Sequence, residues 1–217
     1  MRTFGFPEFL FILEAAKWTL ALSVIAFVGG AILGLAIALM RTSESTWARG
    51  ISTTFIQIFQ GTPLLLQLFL VFFGAPVLGL DINPWVAAGV ALILNSAAFL
   101  GEIWRGCIEA IPRGQWEAAE ALSLKYSSRM RDVVLPQAFR IALAPTVGYL
   151  VQIIKGTSLA AIIGFVEVTR AGQIVNNATF QPLIVFSVVA AIYFVICWPL
   201  SLLAARMERK RARALAR

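Results

Sequence analysis

The chain has 217 residues, of which 59% are hydrophobic and 13% charged, with a net charge of +7. Soluble domains carry about 25% charged residues, so this composition fits lipid as the solvent and one compact membrane domain. Histidine is absent and the two cysteines, Cys107 and Cys197, form no CxxC pair; imidazole metal sites and histidine acid–base chemistry are excluded, and a disulfide framework is unsupported.

Arg2 opens a mixed stretch with Pro7, Glu8 and Glu14. No short apolar run with a small-residue cleavage site follows, so the N-terminus reads as retained. A helix needs about 20 apolar residues to cross roughly 30 Å of hydrocarbon. Five blocks qualify, at about 18–40, 51–73, 85–104, 141–164 and 183–205. The connections between them alternate in charge. Arg41 and Arg49 lie in the first. Arg105, Arg113, Lys125, Arg129, Arg131 and Arg140 lie in or beside the long one, about 106–139. Arg206, Arg209, Lys210, Arg211, Arg213 and Arg217 crowd the tail. Only Arg2, Lys17 and Arg170 fall toward the other side, and Lys155 lies within a span. The positive-inside rule then predicts an all-α membrane protein of five spans, N-terminus outside and C-terminus cytoplasmic. The basic tail reads as a topology anchor on anionic lipid, with no need of nucleic acid.

Polar residues inside spans face protein or water-filled cavities. In the second span Gln57, Gln60 and Gln67 fall within an arc of about 80° on a straight helix. Gly61, Thr62 and Pro63 lie between them, and Pro63 should kink or break the helix. The three glutamines line a pathway or form a hydrogen-bonded seam between helices. In the third span Asn95 and Glu102 share a face; Glu102 sits three residues before Arg105, at ion-pair spacing. In the fourth, Gly148, Gln152 and Lys155 share a face, with Thr157 and Ser158 just beyond. Lys155 lies roughly 22 Å up the helix. It suits a substrate carboxylate; alternatively it pairs with Glu167 or snorkels to the outer interface.

The long loop begins with a run of good helix formers, 115–122. Ala118, Ala119 and Leu122 share one face, and Glu117 and Glu120 the other side. Two adjacent alanines allow another surface close to the backbone, and Glu117 can pair with a base on that surface. Ser123 interrupts the run, a second short segment starts near Ser127, and Pro136 should stop it before span four. The pair fits a partner's groove or packs on its own membrane domain.

Glu117-Ala118-Ala119, three residues, Ser123, nine residues, then Val133-x-Leu135-Pro136 resembles the EAA loop of binding-protein-dependent ABC importer permeases. That pattern has glycine at the place of Ser123 and isoleucine at that of Val133. The likeness covers nearly the whole chain and is to the polar amino acid branch, similar to histidine, glutamine and arginine permeases. Gly61-Thr62-Pro63-Leu64-Leu65-Leu66-Gln67, Leu94-Asn95-Ser96-Ala97-Ala98-Phe99, Ile111-Pro112-Arg113-Gly114-Gln115-Trp116, Lys155-Gly156-Thr157-Ser158-Leu159 and Glu167-Val168-Thr169-Arg170 carry it. Two departures stand out: the family usually has arginine at Gln60 and aspartate at Gly156.

The resemblance implies a type I ABC importer permease in the cell inner membrane, with no cofactor of its own. Its partners would be a second permease chain, an extracytoplasmic amino-acid-binding protein and an ATPase subunit that holds ATP and Mg. Glu117, Ala118, Ala119, Leu122, Ser123, Leu135 and Pro136 would couple to the ATPase. Gln57, Gln60, Thr62, Gln67, Asn95, Gln152, Lys155, Thr157 and Ser158 would line the substrate pathway. Transport would be alternating access. The chain holds no GxxxxGK[ST] phosphate loop, so the energy is expected from a partner. An ion-coupled transporter would instead be expected to carry an inverted repeat and intramembrane acids.

Overall fold

The computed structural model describes residues 3–215. Arg2 and Arg217, used above to orient the chain, lie outside the described residues, as do the side chains of Arg211 and Arg213. All regular structure among the described residues is helical: α1 Phe6–Thr42, α2 Thr46–Gly61, α3 Leu64–Val77, α4 Pro84–Glu109, α5 Arg113–Ala121, α6 Tyr126–Ser128, α7 Leu135–Gly156, α8 Val168–Thr179 and α9 Pro182–Leu215. A π-turn, Arg129–Val134, joins α6 to α7, and a 3₁₀ segment, Thr157–Ile163, follows α7.

Four helical stretches are long and apolar enough to cross a membrane, and the bent α2–α3 pair makes a fifth. The first is longer than its apolar block. Gly5 caps it, with its N–H donating to the Glu8 carboxylate at 3.0 Å, and 37 residues reach about 55 Å at 1.5 Å per residue. Ile12, Ala15 and Thr19 recur at helical spacing and are buried; Ile12 and Ala15 pack on Val168, Ala171 and Val185 of α8 and α9. The exposed Glu14–Lys17 ion pair lies on another face.

Helices α1 and α4 pack backbone against backbone. A Cβ on Gly30 would stand 2.5 Å from the Ser96 Cβ, and one on Gly34 3.1 Å from the Ala97 carbonyl oxygen. Only glycine lets the two backbones meet there. At one end of this pair Trp18, Trp85 and Phe165 join edge to face, with ring centroids 5.4 and 4.6 Å apart. At the basic end Arg105 grips Glu102, Nε to Oε2 at 2.9 Å, and also holds Glu109. The expected i,i+3 pair is therefore present.

The second span is not one helix. It breaks at Thr62–Pro63 and its halves are bent by 101°. Proline has no N–H and drives the preceding residue out of the α region; Thr62 is extended, φ −117° and ψ 139°. Pro136, by contrast, stops nothing. It sits in the first turn of α7, where a missing N–H is tolerated. The π-turn before it widens the register, with Leu135 N–H reaching back to the Met130 carbonyl. The α6 segment thus runs through into α7.

Candidate functional site

Two places gather the candidate residues: a hairpin at the basic end and the break in the second span. In the hairpin, α5 ends in a closed Schellman turn. Ser123 N–H donates to the Glu120 carbonyl at 2.8 Å and Leu124 N–H to that of Ala119 at 3.2 Å. Ser123 takes the left-handed conformation, φ 56°, that this turn demands. The equivalent turns at Gly79 and Gly164 use glycine, φ 76° and 86°. Serine here carries steric strain of about 1 kcal/mol that glycine would not. The family's glycine at this position has its physical reason in that dihedral.

The hairpin is anchored from beneath. Trp116, Tyr126 and Leu135 pack on Ile108, Met130, Val134 and Ala138. The Tyr126 hydroxyl donates to the Thr42 carbonyl at 2.8 Å, tying the hairpin to the end of α1. Arg129 reaches Glu120 at 3.6 Å across the turn. Ala119 is only 3% exposed, so it belongs to the chain's own packing, the second of the two readings of that face. Glu117, Ala118, Ser123, Pro136 and Leu122, the last 74% exposed, face outward.

At the break the glutamines part company, because the bend removes the common arc of a straight helix. Gln57 and Gln60 lie on exposed positions of α2, with Gln60 Nε2 donating to the Ala98 carbonyl at 3.3 Å. Gln67 is buried on α3. Its Nε2 donates to the Phe59 carbonyl (2.8 Å), the Thr62 carbonyl (3.0 Å) and the Thr62 hydroxyl (2.9 Å). Its Oε1 accepts from Asn95 Nδ2 at 3.1 Å, and Asn95 Oδ1 accepts from the Tyr149 hydroxyl at 3.4 Å. Carbonyl neighbours only accept, which fixes the amide's orientation. This is the hydrogen-bonded seam of the two readings.

Gly156 lies against the break as well; a Cβ there would come 3.2 Å from Leu64 Cδ2. Thr157 is fully buried, donating to the Ile154 carbonyl, and Ser158 donates to the Lys155 carbonyl, both at 2.7 Å. Gln152 and Lys155 remain exposed on α7. The Lys155–Glu167 pair does not form. Glu167 is fully buried and caps α8, accepting from Thr169 N at 2.9 Å and Arg170 N at 2.8 Å. It also accepts from the Tyr193 hydroxyl at 2.6 Å. Burial pushes its carboxyl above the usual carboxylate range, against the pull of those donors.

The tyrosines were missed at the sequence level. The chain has three, and Tyr126, Tyr149 and Tyr193 each join two elements through the hydroxyl. The available signal was chemical: a phenol in an apolar bundle needs a partner.

Residues 12–213 match the sequence profile of the binding-protein-dependent transport system inner membrane component. The chain belongs to that family. A glutamine transport system permease protein of Escherichia coli (strain K12) is 36% identical, over 94% of each chain. An arginine transport system permease protein of Bacillus subtilis (strain 168) is 38% identical over the same shares. A probable amino-acid ABC transporter permease of that Bacillus is 35% identical, over 94% of this chain and 91% of its own. Among solved structures, an amino acid ABC transporter crystallised with histidines superposes with a TM-score of 0.88 at 32% identity, covering 96% of this chain and all of that one. An inward-facing methionine ABC transporter, at 18% identity and a TM-score of 0.79, shares the fold.

This permease subunit is thus a multi-pass inner-membrane component of an importer. Its hairpin is continuous through the π-turn with α7, the helix that bears Gln152 and Lys155.

Proposed function

We propose that this permease forms the membrane path of an ATP-driven importer for polar amino acids, with a second permease chain as its partner. The N-terminus lies outside and the basic end is cytoplasmic, as the distribution of arginine and lysine supports. An ATPase subunit, which binds ATP and Mg, docks on Glu117, Ala118, Leu122 and the strained Ser123 turn. An extracytoplasmic binding protein delivers the amino acid. ATP-driven closure of the ATPases moves the hairpin, and alternating access follows.

The observation that carries this reading is the hairpin itself. It exposes a large apolar side chain, Leu122, on one face of its turn and Glu117 on another while its base is locked to α1 and α7. That is how a partner's stroke would be received and passed on. Lys155 and Gln152 support a polar path along α7: a lysine with no ion-pair carboxylate among the described residues is, at membrane depth, disfavoured against lipid and suited to a carboxylate substrate. Gln57 and Gln60 on α2 extend that path. The names of the relatives favour glutamine, arginine or a similar polar amino acid.

The test is uptake into vesicles holding the permease with its ATPase and binding protein, using a panel of radiolabelled amino acids. ATP-dependent uptake of a polar amino acid is expected. Uptake by the permease alone, without ATPase or ATP, contradicts the reading.

A further inference from the structure

The break in the second span leaves a specific debt. In an unbroken helix the Phe59 carbonyl would accept from the N–H of residue 63, four positions on. That residue is Pro63, which has none. Gln67 Nε2 stands in its place, 2.8 Å from the Phe59 oxygen. The same amide reaches Thr62, the last residue before the turn, so one side chain from α3 closes the end of α2. Its other end is held by Asn95 of α4, which Tyr149 of α7 holds in turn. The Tyr149 ring stacks on Phe99, centroids 5.4 Å apart.

We infer that Gln67 is a positioning residue for translocation: it sets the angle between α2 and α3 and links that angle, through Asn95 and Tyr149, to α7. The inference rests on the importer reading, because α7 is the helix the coupling hairpin drives. A hydrogen bond to Tyr149 lies on the path that a movement of α7 takes to reach the bend. Two of the three members of the chain, Gln67 and Asn95, are buried, 5% and 8% exposed. Their polar groups have few alternative partners there, which favours discrete arrangements over gradual slippage.

The test uses the complete complex in vesicles, reading solute imported per ATP hydrolysed beside the melting temperature. Gln67→Leu is expected to lower import per ATP by about 2- to 30-fold, with a lower melting temperature. Adding Pro63→Ala returns an N–H to position 63 and satisfies Phe59 from within a straighter helix. The double variant is expected to regain part of the melting temperature, since Asn95 Nδ2 stays without its acceptor, and not the import. Regained import overturns the inference, as does Gln67→Leu importing like the wild type. Where Gln67→Leu does not assemble, Tyr149→Phe takes over, since it keeps the ring on Phe99 and deletes only the hydroxyl. A reduced ratio supports the link and an unchanged one overturns it. A wild type that imports nothing overturns the importer reading and this inference together; a wild type that imports beside silent variants overturns the inference alone.

Discussion

Helices α1 and α4 run past one another backbone to backbone, whereas α2 and α3 meet at an angle and touch their neighbours through side chains. The first pair is closed by glycine, with no room for a methyl group between Gly30 and Ser96. At the second, beside the apolar packing of Leu64 and Leu68, one amide, Gln67, answers a carbonyl orphaned by proline. A buried carbonyl without a partner costs about 1–3 kcal/mol; the Phe59 carbonyl is half-buried, and the Gln67 amide spares it part of that cost. Packing without gaps resists deformation, while a bend held by a few hydrogen bonds can be rearranged with them.

The largest effect is expected where the backbone contact is broken. Gly34→Leu drives a side chain into the Ala97 carbonyl and the Gly101 backbone. A loss of about 3 kcal/mol or more follows, read as absence of an assembled complex on size exclusion; a monodisperse complex with wild-type melting would show that the contact is not tight. Next comes the bend. Pro63→Ala alone should leave assembly intact and lower import severalfold, because the helix straightens; import at the wild-type rate would mean that the angle is idle. Comparable in size is Lys155→Ala. It should raise the amino acid concentration for half-maximal transport by about tenfold, the loss of one charge-assisted contact; an unaltered apparent affinity and rate would remove Lys155 from the path. The smallest is Ser123→Gly, which relieves the left-handed strain and should stabilise the complex by about 0.5–1 kcal/mol against denaturant. A lower stability would speak against the strain.

The same contrast explains what could be read from the chain unaided. Hydropathy marked the spans because burial in lipid demands unbroken apolar length, and Pro63 marked the break because proline lacks a donor. The start of α1 was hidden: Glu8, Glu14 and Lys17 interrupt the apolar run, although Ile12, Ala15 and Thr19 keep one buried face beneath them. Gln67 was misplaced beside Gln57 and Gln60 since a wheel drawn on a straight helix cannot survive a 101° bend. Glu167 looked free to pair with Lys155, yet three donors already hold it as the cap of α8. Pro136 looked like a stop because a π-turn leaves no sequence signature as plain as proline's. Ser123 was legible in part: its departure from the family's glycine falls at a positive φ.

Whether the exposed hairpin carries a partner's stroke into the bundle is decided by Glu117→Arg in the reconstituted complex, measuring ATP hydrolysed and amino acid imported in the same vesicles. A folded permease whose hydrolysis no longer drives import is expected. Import per ATP equal to the wild type would contradict that role of the hairpin.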